Sequence, residues 1–127
     1  MRPNHITYRK RSRLLELEFD GGNASLPAEL LRVYSPSAEV RGHGPGERQL
    51  QTGKKQVRIN ALEPVGNYGV RISFDDGHDT GIYAWGYLRD LADHQDRYWQ
   101  EYLAELKAAN ASRLPSIPVR HFTPKPG

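Results

Sequence analysis

The chain of 127 residues is 37% hydrophobic and 26% charged, carries a formal net charge of +3 and contains no cysteine. Without thiols it cannot build a disulfide framework, a zinc ribbon, a thiolate-held iron–sulfur cluster of its own or a cysteine nucleophile. Its mild charge falls short of the basic excess of a dedicated nucleic-acid binder, so nucleic acid is not an expected partner. No apolar run approaches the roughly 18 residues of a membrane span. Met1-Arg-Pro-Asn-His5 lacks the apolar stretch of a secretory signal, which makes a cytoplasmic location the expectation.

In chain order, Ile6 to Phe19 reads as two strands meeting around Arg11 and Ser12, with Leu15, Leu17 and Phe19 alternating with Glu16 and Glu18. Asp20-Gly-Gly-Asn23 has the composition of a turn. Ser25 to Tyr34 then predicts a short helix, with Ser25 or Leu26 near its N-cap, Pro27 in its first turn and Leu30, Leu31 and Tyr34 buried. Ser35-Pro36 ends it. Residues 36–53 show no period and read as a long polar connection, a kind of loop that is often functional.

Alternation returns in Lys55 to Leu62, predicting Val57, Ile59 and Ala61 inward, and Glu63 to Asn67 reads as a turn. Val70, Ile72 and Phe74 alternate with Arg71 and Ser73 as a half-buried strand. Asp75-Asp-Gly77 breaks it in the manner of a hairpin, and a short strand from Thr80 to Tyr83 runs into a helical pattern from Trp85. Two helices are expected up to Ala109, with a break between Asp90 and Asp96. The fold class is therefore α+β, a mostly antiparallel sheet of about five to six short strands with two to three helices packed against it. Residues 1–110 form one domain, and 111–127 a proline-rich tail, extended or disordered.

Leu31-Arg-Val-Tyr-Ser-Pro-Ser-Ala-Glu-Val-Arg-Gly-His43 and Val70-Arg-Ile-Ser-Phe-Asp-Asp-Gly-His-Asp-Thr-Gly-Ile-Tyr-Ala-Trp-Gly-Tyr-Leu88 together resemble the gamma-butyrobetaine hydroxylase-like N-terminal domain family. The resemblance covers roughly residues 5 to 105. It implies a small α+β domain found alone in bacteria, joined to iron–sulfur P-loop ATPases, or placed before a hydroxylase domain. In the hydroxylase relatives it implies a zinc module of three cysteines and one histidine. Carried onto this chain, those positions fall at Ser35, Ser37, Val40 and His78, so only the histidine is a good zinc donor. The oxygenase activity of those relatives belongs to a second domain, and no catalytic residue is assigned here.

His78 is the leading candidate for chemistry, as a metal ligand or pH-sensitive contact, or as a turn histidine bonded to backbone or to Ser35 and Ser37, whose hydroxyls would fill the space of the missing metal. His43 with His78 and nearby aspartates is an alternative iron or zinc site. Otherwise no cofactor is expected. Arg9, Lys10, Arg11 and Arg13 form a basic cluster that suits a solvated sheet edge, or contact with an acidic partner or nucleic acid. The functional expectation is a non-enzymatic interaction or accessory module that assists a metal-cofactor or iron–sulfur pathway through a protein partner such as an iron–sulfur carrier ATPase. Its surface would comprise Ser35, Ser37, Arg41, His43, Asp76, His78 and Trp85.

Overall fold

The structure, a computed structural model, describes residues 2–42 and 48–115. Six strands and four helices follow the order β1 (His5–Arg9), β2 (Leu14–Phe19), β3 (Gly22–Pro27), α1 (Ala28–Val33), α2 (Ala38–Arg41), β4 (Ile59–Val65), β5 (Gly69–Phe74), β6 (Gly81–Ala84), α3 (Trp85–Asp93) and α4 (Gln95–Ala108). The α+β class stands, but the expected single sheet is two three-stranded antiparallel sheets, β1-β2-β3 and β4-β5-β6. One hydrophobic cluster joins them. It takes Leu15, Leu17 and Leu26 from the first sheet, Val70, Ile72 and Tyr83 from the second, and Leu30, Leu31, Leu88 and Leu91 from the helices. Each aliphatic side chain so buried contributes about 1.5–3 kcal/mol.

Two sequence expectations change here for local reasons. The segment Gly22–Pro27 is a strand and not a turn running into a helix, paired with β2 from Phe19↔Gly22 to Leu14↔Pro27. Gly, Asn, Ser and Pro carry poor strand propensity, so its signal was weak, yet an edge position tolerates all of them. Pro27 sits extended (φ −64°, ψ 142°) as the N-cap, and α1 starts one residue later. In β4 the register slips between Ile59 and Ala61. That bulge turns Ala61 outward while Val57 and Ile59 stay buried. The strand also continues through Pro64 to Val65, beyond the expected turn, because β4 is an edge strand where a missing N–H is harmless.

The long connection is shorter than its composition suggested. Ser37 caps the one-turn helix α2 by accepting from the Glu39 N–H (3.3 Å), and Val40 is buried beneath it. The break between α3 and α4 falls at His94, inside the expected window. Of the proline-rich segment, residues 111–115 lie on the domain. The N–H groups of Gly53 and Lys55 donate to the carbonyls of Ser112 and Arg113 at 2.9 Å each. The Arg113 guanidinium grips both oxygens of Glu29 at 2.8 and 2.7 Å and lies 4.7 Å from the Trp99 ring. Residues 116–127 lie outside the described residues. Among the described residues no helix is long and apolar enough to cross a membrane.

Candidate functional site

The end of α1 and the β5–β6 turn converge on one buried imidazole. The turn is closed by its own backbone. Gly77 takes the left-handed φ of 91° that a side chain resists, and the Phe74 N–H donates to the His78 carbonyl (2.9 Å). Asp76 Oδ1 accepts from the His78 N–H (3.2 Å), an Asx-type bond that fixes the turn residue. His78 is thereby aimed inward and is only 6% exposed.

Its ring is held at both nitrogens. Nε2 lies 2.8 Å from Ser35 Oγ, and Nδ1 lies 3.3 Å from the Glu39 carboxylate. Burial pushes the His78 pKa below its ordinary value and the nearby Arg32 guanidinium pushes the same way, against the pull of Glu39 and Asp76. The ring is therefore neutral at pH 7. The Glu39 carboxylate favours the tautomer with the ring proton on Nδ1, in which Nε2 accepts from the Ser35 hydroxyl. Ser35 Oγ also accepts from the Ser37 N–H (3.2 Å), and the Ser37 and Thr80 hydroxyls are 2.7 Å apart. Ser35 and Ser37 are 3% and 7% exposed, so these bonds form a cross-link, buried on its serine side, between the α1–α2 segment and the β5–β6 hairpin.

Asp76 anchors a second, ionic layer. Burial would raise its pKa, but hydrogen bonds from Lys54, Arg32 and the His78 N–H outweigh it and hold the carboxyl down at about 2. Arg32 Nε and Lys54 Nζ both bind Oδ2, at 2.8 and 2.5 Å. Arg32 Nη1 is buried with no partner among the described residues.

The family's implied zinc does not fit these residues. Ser35 and Ser37 spend their hydroxyls on His78 and Thr80, Val40 offers an apolar side chain, and the imidazole is the one good donor. Among the described residues no group of three His, Asp or Glu could hold a metal ion. His43 lies outside the described residues, so its pairing with His78 has no structural description. Glu39, His78 and Ser35 are connected in the order of a hydrolytic triad. Ser35 is nearly fully buried, however, and a Cβ on Gly81 would stand 2.5 Å from its Oγ, so no acyl substrate can reach the hydroxyl.

The remaining expected surface residues separate. Arg41 is exposed, with its guanidinium 5.6 Å from the Tyr87 ring centroid. Asp76 keeps about a fifth of its side chain in solvent. Trp85, Ser35, Ser37 and His78 are corrections as surface residues: each is 8% exposed or less, and the Trp85 indole N–H donates to the Asn67 carbonyl (2.9 Å). Sequence reasoning missed Glu39, Arg32, Lys54 and Thr80 as partners of the site. None of the four stands at a local spacing that announces it.

The family model for gamma-butyrobetaine hydroxylase-like, N-terminal domains matches residues 6–89. An NMR solution structure is similar to this chain with 47% identity and a TM-score of 0.80 over 93% of this chain and 94% of the other. A second NMR structure shares 55% identity with a TM-score of 0.78, covering 91% and 87%. A crystal structure from Acidithiobacillus ferrooxidans, of a protein with unknown function in the DUF971 family, shares 38% identity with a TM-score of 0.61, covering 72% and 92%. No curated protein matches.

Proposed function

This chain belongs to the gamma-butyrobetaine hydroxylase-like N-terminal family, and from that premise we propose that it is a soluble, non-enzymatic interaction or accessory module. It assists a metal-cofactor or iron–sulfur pathway by docking to a protein partner, an iron–sulfur carrier ATPase being the class the family resemblance favours. The observation that carries this reading is the engagement of both His78 ring nitrogens by Ser35 and Glu39. A ring so used supports its surroundings and has its lone pair already engaged by the Ser35 hydroxyl, which argues against metal binding through His43 and His78. The cross-link rigidifies the segment that presents the exposed Glu39, Arg41 and Asp79, and pre-ordered contact residues lower the entropic cost of docking.

Titration calorimetry of the purified protein against a purified iron–sulfur carrier ATPase tests the proposal. The expected result is saturable binding that weakens about tenfold or more in Glu39→Ala/Arg41→Ala, the effect of losing charge-assisted contacts. No binding, or binding indifferent to both substitutions, rejects it.

A further inference from the structure

The end of the β1–β2 hairpin and the start of β4 enclose a niche of about 240 Å3 lined by Tyr8, Lys10, Arg58, Ile59 and Asn60. Its lining holds two cations and no carboxylate. Among the described residues neither the Lys10 ammonium nor the Arg58 guanidinium has an acidic partner, whereas neighbouring Arg9 is paired with Glu16 at 3.2 Å. The Asp75 carboxylate is engaged by the backbone N–H of Arg58 (3.0 Å) and lines a different cavity. A third donor is also available. Tyr8 Oη accepts the Ile59 N–H (3.2 Å), which leaves the hydroxyl's own proton without an acceptor among the described residues. The bulge between Ile59 and Ala61 falls at the niche wall, breaking the ladder beside Asn60, an arrangement that re-aims side chains toward ligands.

Three unmatched donors, two of them cationic, surround one concavity. From this we infer that the niche binds the phosphate group of a small organic phosphate. Arg58 supplies a planar fork for phosphate oxygens, Lys10 a mobile point charge and Tyr8 a neutral donor. Arg11 and Arg13 on the same hairpin add positive potential that favours a dianion. The volume admits a phosphate with a sugar-sized group and lies below the roughly 300–1,000 Å3 of pockets for larger ligands. A nucleic-acid strand would instead need a basic groove that tracks several phosphates, at odds with a chain of net charge +3.

The test is an NMR titration of the full-length, 15N-labelled protein at low salt with ribose 5-phosphate, inorganic phosphate, ribose and a short single-stranded DNA. Saturable shifts of the Ile59 and Asn60 amides are expected with the two phosphates and not with ribose. Lys10→Gln/Arg58→Gln should weaken ribose 5-phosphate by about a hundredfold, roughly tenfold for each charge-assisted contact. Its thermal midpoint should stay unchanged, because neither side chain has a partner to lose. Equal affinity in the variant, the absence of saturable shifts with ribose 5-phosphate, or shifts caused by DNA alone would overturn the inference.

Discussion

Replacing His78 by alanine removes the centre of the cross-link, and its effect can be worked from the geometry. The side chain is 3% exposed, so its deletion leaves a cavity against Phe74, whose ring centroid is 6.1 Å away. Ser35 keeps the Ser37 N–H as a donor to its oxygen but loses the acceptor for its own proton. A buried hydroxyl so orphaned costs about 1–3 kcal/mol. The bond to Glu39 adds well under 1 kcal/mol, since that carboxylate is 66% exposed. With the cavity included, the loss should be roughly 2–4 kcal/mol, or a fall in Tm of about 8–15 °C for a domain of this size. Urea titration monitored by circular dichroism gives the number, and a cycle with Ser35→Ala gives the coupling. The double variant should lose about 1 kcal/mol less than the sum of the singles, because neither leaves an unmet partner behind. A His78→Ala loss below about 0.5 kcal/mol, or strict additivity, would refute the cross-link as a stabilising device.

Acid should weaken the same site in a defined window. The folded-state pKa of His78 is lowered, so the unfolded chain binds the proton more readily below about 6.5, and stability is complete above that pH and lost as pH falls beneath it. Asp76, held at about 2 against an ordinary 3.8, adds a second loss between about pH 4 and 2. Urea midpoints across this range should fall in both windows for the wild type and lose the upper step in His78→Ala. Arg113→Ala should strand the buried Glu29 carboxylate at a loss of about 3 kcal/mol and speed amide hydrogen exchange at Gly53 and Lys55, whose N–H groups bond the same segment. Gly81→Ala would place a Cβ 2.5 Å from Ser35 Oγ and 3.2 Å from the Tyr83 ring, and should destabilise by about 1–3 kcal/mol by thermal melt.

How far the sequence revealed this arrangement depended on the physical signal at each place. The buried face of β5 was legible because Val70, Ile72 and Phe74 alternate without interruption, and Gly77 marked the turn. Strand β3 was illegible because Leu26 is its one fully buried side chain and, Ala24 apart, the rest are turn-forming residues. The outward turn of Ala61 depends on a register slip, which leaves no trace in an apolar/polar pattern. The meeting of Ser35 with His78, 43 residues apart, came from the family resemblance and not from periodicity. Glu39, Arg32 and Lys54 reach the site through folding alone, so no local spacing announces them. Trp85 shows the converse failure: an aromatic at a helix start reads equally well as an anchor or as core, and only its burial in the fold decides.

The central claim, that hydrogen bonds and not a metal hold His78, is tested most directly by metal content combined with a chelator melt. Purified, tag-free protein should carry far less than one equivalent of zinc or iron by elemental analysis, with the same Tm before and after EDTA. One equivalent of metal that is absent from His78→Ala, with a Tm that drops when the wild type is chelated, would contradict the account.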